Sequence, residues 1–193
     1  MSEENAFARL VALACHDLRT PLATVHGFAT TLTRGGGLEP PADRYVEMID
    51  AASAQIAELI DELSLAARIE SDRYEPTPRE ADTLELAQAA AARLGEDRVH
   101  VSGSGASIET DADSLERGLA ALFQSALRHG GLDEVEVVVD GHELRLSPVT
   151  SASAPVVLGD DLRDLGAAVA VRLVRQLGGS VEIDGETLQI RLA

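Results

Sequence analysis

The residues best equipped for chemistry sit in one short segment, Cys15-His16-Asp17-Leu18-Arg19-Thr20-Pro21-Leu22. An imidazole keeps a large neutral fraction near pH 7 and is then a good nucleophile. Asp17, its immediate neighbour, can fix the tautomer of His16 or accept its proton. Thr20 lies one helical turn further along on nearly the same face. Pro21 removes a backbone donor and frees the carbonyl of Asp17, so an interruption and a kink are expected there. On a helical wheel Phe7, Val11, Ala14, Leu18, Leu22, Val25 and Leu32 fall within an arc of about 80°, and His16 stands about 200° from Ala14. The histidine therefore points away from the apolar stripe, which is not where a core residue would be placed.

The helix that must carry these residues runs from about Ala6 to Thr33. The stretch from Arg34 through Gly35, Gly36 and Gly37 to Pro40 and Pro41 is a turn by composition. A second helical pattern follows, with Tyr45, Val46, Ile49, Ile56, Leu59, Ile60, Leu63 and Ala67. Two long amphipathic helices joined by a short turn make an antiparallel hairpin. Such a hairpin cannot bury both apolar stripes alone, so pairing with a second copy into a four-helix bundle is expected.

Glu75-Pro76-Thr77-Pro78 reads as a linker, which sets expected domains of 1–75 and 76–193. In the second domain a helix is predicted over Thr83–Leu94, a short strand over Val99–Ser102 and a loop over Ser102–Ala106. Asp111 or Asp113 is suited to cap a helix through about Arg128. Val135–Val139 and Leu144–Val149 flank the hairpin signal Asp140-Gly141. A helix over Leu162–Leu177 ends at Gly178-Gly179, and a last hairpin turns at Asp184-Gly185. Helices and strands in this order predict an α+β fold, with the helices on one face of a mixed sheet.

Composition narrows the function classes. The 193 residues carry 33 Asp and Glu against 16 Lys and Arg, a net charge of −17. That balance argues against nucleic acid and against an anionic membrane surface as partner. Apolar residues make up 45% of the chain, enough for a core, but aromatics only 3%, so Ala, Leu and Val must fill it. The acidic start is unlike a secretory signal, and no uninterrupted apolar run of about 18 residues occurs, so a soluble cytoplasmic protein is expected. The single cysteine, Cys15, rules out an internal disulfide and suits a reduced thiol lining a helix. His16 and His26 are separated by about 15 Å of helical rise and cannot share an ion within one chain. No metal site is expected.

The segment from Cys15 to Leu22 resembles the phosphoacceptor box of bacterial two-component histidine kinases, and the hairpin resembles their dimerisation and phosphotransfer domain. The resemblance implies that His16 carries a phosphoryl group and that Asp17 assists transfer as an acid or base. It implies that Thr20 could orient a water for dephosphorylating a partner. Residues from about Ala81 to Ala193 resemble the ATP-binding domain of the same kinases in element order. In the family, the helix matching Asp113–Gly130 carries two asparagines four residues apart, one of which holds magnesium. Here Ala121 and Ser125 stand at those positions, while Arg128 and His129 match the basic end of the box.

The family's Asp-x-Gly-x-Gly loop corresponds to Leu146–Ala154, which has neither Asp nor Gly, and only Thr150 to about Gly159 is left for an ATP lid. The second glycine box survives as Leu165-Gly166-Ala167-Ala168. Gly103 and Gly105 form a lone Gly-x-Gly, too little for a nucleotide loop.

The chain thus resembles most a dimeric histidine phosphotransferase of a phosphorelay: a helical hairpin followed by a degenerate kinase-type α/β sandwich. The expected function is transfer of a phosphoryl group through His16 between the aspartates of response-regulator receiver domains, by a homodimer, with no ATP and no cofactor of its own. Magnesium is expected from the receiver. With 15 residues ahead of His16, no sensory domain is expected upstream on this chain. Alternative readings are an ATP-dependent histidine kinase with a diverged pocket, a non-catalytic receiver-binding scaffold, and a phosphatase using Thr20.

Overall fold

A computed structural model describes residues 3–95 and 97–193, with side chains in α1 from Phe7 onward. The reading of the chain start as no secretory signal rests partly on Met1 and Ser2, which lie outside the described residues. The chain divides into two compact units, Met1–Tyr74 and Glu75–Ala193.

The first unit is a helical hairpin of α1 (Glu3–Gly35) and α2 (Ala42–Glu70). Pro21 does not interrupt α1, which remains helical on both sides of it. The seam between the two helices is built mostly from small residues, with Ile60 among them on α2. Along α1 the buried positions are Ala8, Cys15 and Ala29, and along α2 they include Ser53, Ile60 and Ala67. Small side chains let two helices approach closely, so the seam turns aside from the stripe of large residues. Phe7 remains 70% exposed, and Leu18, Val25 and Leu32 are also exposed. On α2 the same holds for Tyr45, Met48, Ile49, Ile56, Leu59 and Leu63. The covered seam thus runs beside the apolar stripe of α1, on Ala8, Cys15 and Ala29, and leaves large residues of the stripe uncovered.

The second unit is a sandwich. Its five-stranded sheet has the order β2 (Val99–Gly105), β4 (Val135–Gly141), β5 (Glu143–Ser147), β7 (Thr187–Arg191), β6 (Ser180–Asp184). β2 and β4 run parallel and the other neighbours are antiparallel. Val135, Val137, Val139, Leu144, Leu146, Leu188 and Ile190 alternate onto one face and are buried. They form a single core with α3 (Thr83–Ala92), α4 (Ala112–Gly130) and α6 (Leu165–Gln176). The opposite face carries Glu136, Asp140, Arg145 and Gln189, as the period of two requires. A short antiparallel pair, β1 (Arg79–Asp82) with β3 (Ser107–Thr110), and the four-residue helix α5 (Ala154–Val157) complete the unit.

Several local expectations need correction. Residues 102–105, read as loop, extend β2, with Gly103 paired to Val139 and Gly105 to Gly141. Glycine is required there by proximity, not by a turn: a Cβ on Gly103 would collide with the Val139 carbonyl, and one on Gly105 with the Asp82 carboxylate. The helix predicted from Leu162 starts at Leu165, because Asp164 caps it by accepting from Ala167 N at 3.1 Å. β5 ends at Ser147, two residues before the predicted strand end. Asp111, not Asp113, is the cap of α4 and accepts from Ser114 N at 3.1 Å.

Candidate functional site

Helix α1 presents His16 from a well-anchored turn. Cys15, the preceding residue, is buried in the seam. Three residues on, Arg19 Nη2 donates to Asp61 Oδ1 of α2 at 2.8 Å. Lower down, Asp50 of α2 accepts from Thr30 Oγ1 at 2.7 Å and lies 3.0 Å from His26 Nδ1. These contacts mark the side of α1 that faces α2. His16 is on another side: its side chain is 77% exposed, and that of Asp17 69%.

The two side chains touch, with His16 Nδ1 3.2 Å from Asp17 Oδ1. An ionised carboxylate can only accept, so this contact places the imidazole proton on Nδ1 and leaves the Nε2 lone pair facing solvent. A nucleophilic nitrogen is thus exposed at a defined orientation with a negative charge behind it. Thr20 is also exposed, one turn along, and its carbonyl accepts from Thr24 Oγ1 at 3.2 Å. His16, Asp17 and Thr20 therefore share an accessible surface of α1. The Arg19–Asp61 bridge that braces this turn was missed in the sequence. Its partners are 42 residues apart, and nothing local sets the register that joins them.

Among the described residues, no group of three His, Cys, Asp or Glu side chains is placed to hold a metal ion. His26, far from being a companion of His16, lies in the seam beside Asp50 and Ser53.

In the second unit, the positions that the kinase resemblance singles out are occupied as follows. Ala121 is half-buried on α4. Ser125 is fully buried, and its Oγ has no hydrogen-bond partner among the described residues. His129 Nε2 donates to Asp164 Oδ2 at 3.1 Å, and Arg128 Nη1 lies 3.8 Å from the same oxygen. Helices α4 and α6 are in direct contact: a Cβ on Gly118 would stand 3.4 Å from Leu173 and 3.6 Å from Ala170. A cleft of about 380 Å³ opens elsewhere, along the polar sheet face between His100, Glu134, Glu136, Ser147, Pro148 and Glu186.

The first unit thus presents an exposed histidine backed by a carboxylate on a helical hairpin, and a helix-backed mixed sheet follows it. The profile of the His Kinase A (phospho-acceptor) domain matches residues 8–72. "Histidine protein kinase DivJ" of Caulobacter vibrioides is 30% identical over 187 residues, covering 90% of this chain and 30% of that protein. Among solved structures, full-length ShkA in complex with AMPPNP superposes with a TM-score of 0.68 at 21% identity, over 94% of this chain and 44% of that one. Histidine kinase AdeS of Acinetobacter baumannii gives a TM-score of 0.55 at 18% identity, over 92% and 98% of the two chains. These two superpositions establish the fold. Residues 8–72 form a His Kinase A phospho-acceptor domain, and the chain as a whole is similar to two-component histidine kinases, with an ATPase-like fold after the hairpin. It spans between 15% and 34% of the length of the curated relatives it matches. No helix among the described residues is long and apolar enough to cross a membrane.

Proposed function

We propose that this chain is a phosphorelay protein of two-component signalling, a histidine phosphotransferase that uses no ATP of its own. The observation that carries the reading is the exposed His16 imidazole with its Nδ1 held by Asp17 at 3.2 Å. In the first step the Nε2 lone pair forms a bond to the phosphorus of an aspartyl phosphate on one receiver domain. The bond from phosphorus to the receiver's carboxylate oxygen breaks, and the carboxylate leaves ionised. Asp17 stabilises the charge that develops on the ring or takes the Nδ1 proton. The reverse step, on the aspartate of a second receiver, returns His16 to its starting state. Thr20 is assigned a different task on the same face, orienting a water that hydrolyses a receiver's phosphate.

The uncovered band from Phe7 to Leu63 supports assembly of two hairpins into a homodimeric four-helix bundle. Receiver domains dock on the acidic hairpin by complementary patches, bring the magnesium ion, and do so in the cytoplasm. The ATP-free reading is supported by a donor set that does not fit a magnesium–nucleotide complex. Ala121 has no ligating atom and Ser125 Oγ is sealed from solvent, whereas magnesium needs accessible oxygen ligands.

The test is transfer from a purified phosphorylated receiver to the chain. Label should appear on the wild type and not on His16→Ala. Binding without transfer would favour a scaffold. A second reading, an ATP-dependent histidine kinase, is favoured by the similarity to a histidine protein kinase at 30% identity. Acid-labile label from ATP and magnesium on His16 would establish it.

A further inference from the structure

The segment between β5 and α6 crosses α4 and α6 as a strap tied at both ends to the same point. It begins at the C-terminal end of α4, where Thr150 Cγ2 lies 3.5 Å from the place of a Cβ on Gly130. Thr150 and Ser153 then close a turn on each other. Thr150 N donates to Ser153 Oγ at 3.1 Å, Ser153 N to Thr150 Oγ1 at 3.3 Å, and Ala154 N to Thr150 O at 2.9 Å. Helix α5 follows and packs on both α4 and α6, with Val156 and Val157 fully buried. Gly159, at a φ of 74°, lies so close to α6 that a Cβ there would stand 3.5 Å from Ala168 Cα and 3.7 Å from Val171 Cβ. The chain then returns to the end of α4, where Asp164 accepts from His129 while capping α6.

We propose that this strap is an internal occupant: α5 fills the groove between α4, which carries Ala121 and Ser125, and α6, which begins at the Gly166 box, and holds it closed as part of the core. The inference rests on the ATP-free reading and deepens it, since the groove is then plugged as well as stripped of ligands. A lid over a substrate site must open at low cost, so lids are drawn from the least protected parts of a fold. The strap has the opposite character. Opening it exposes two buried valines and breaks the turn at Thr150 and Ser153. His129, at the basic end of the box that the resemblance singles out, is committed instead to Asp164.

Hydrogen exchange on the full chain, with and without magnesium and ATP, tests this. The amides of Val156, Val157 and Leu158 donate to Ser153 and Ala154 carbonyls at 2.9–3.2 Å. They should exchange as slowly as those of the α4 core, at least about 100-fold slower than an unprotected chain, and magnesium with ATP should leave them unchanged. Fast exchange indifferent to nucleotide would overturn the plug and leave the ATP-free reading standing. Any change on adding nucleotide would overturn both. A Val156→Ala/Val157→Ala variant gives a second measure: exchange should quicken in α4 and α6 as well as in α5, and quickening confined to residues 150–164 refutes the plug.

Discussion

Replacing Ile56 by alanine tests the proposed dimer where the numbers are most tractable. Ile56 lies on the uncovered band of α2 and is 47% exposed in the single chain. The substitution removes three carbons, worth about 2.4 kcal/mol at roughly 0.8 kcal/mol each if burial were complete. About half of that burial is still to be gained on association, which gives about 1.2 kcal/mol per copy. A two-fold interface contains the residue twice, so the dimer loses about 2.4 kcal/mol, or roughly 50-fold in dissociation constant. Sedimentation equilibrium over a dilution series reads this shift directly. Leu162→Ala is the control, because Leu162 is exposed in the second unit and absent from the hairpin. An Ile56→Ala dimer as tight as the wild type, or a wild type that stays monomeric at all concentrations, would refute the assignment of this band to a second copy.

The remaining expectations follow from single contacts. Thr20→Ala should leave label transfer to His16 intact while slowing loss of phosphate from a receiver, as followed by gel autoradiography over time. Asp111→Ala removes the cap on Ser114 N and should cost about 1 kcal/mol, seen as a lower urea midpoint with unchanged slope. Gly103→Ala meets both a positive φ and the Val139 carbonyl, so it should destabilise by more than about 2 kcal/mol and shift the thermal midpoint of the second unit. Arg19→Ala breaks an exposed bridge to Asp61 and should change stability by less than about 1 kcal/mol.

Most of the secondary structure was legible because its signals are local. The 3.6 period marked α1, α2 and α4, and Asp-Gly pairs marked the β4–β5 and β6–β7 hairpins, whose Gly141 and Gly185 do take positive φ. What escaped was short or polar. β1, with the sequence Arg-Glu-Ala-Asp, and β3, with Ser-Ile-Glu-Thr, hold four residues each and lack a clear alternation. They are strands because they pair with each other, 27 residues apart at Ala81 and Ile108. α5 is a single turn that depends on the surfaces beneath it. Gly103 and Gly105 misled for a related reason, since glycine signals a turn and a close backbone approach equally well.

At the candidate site the same division holds. The amino-acid sequence by itself determined that His16 stands off the apolar stripe, that Asp17 is within reach of its ring, and that Thr20 shares its face, because helical geometry converts spacing into direction without reference to the rest of the molecule. Only the tertiary structure decided that α1 packs through Ala8, Cys15 and Ala29, beside the apolar stripe, and leaves Phe7, Leu18, Val25 and Leu32 uncovered. It alone joined Arg19 to Asp61, turned His129 toward Asp164, and packed α5 on α4 and α6. Each of these depends on which surfaces meet and at what distance. Burial and pairing belong to two elements at once, so neither can be read from the pattern of one.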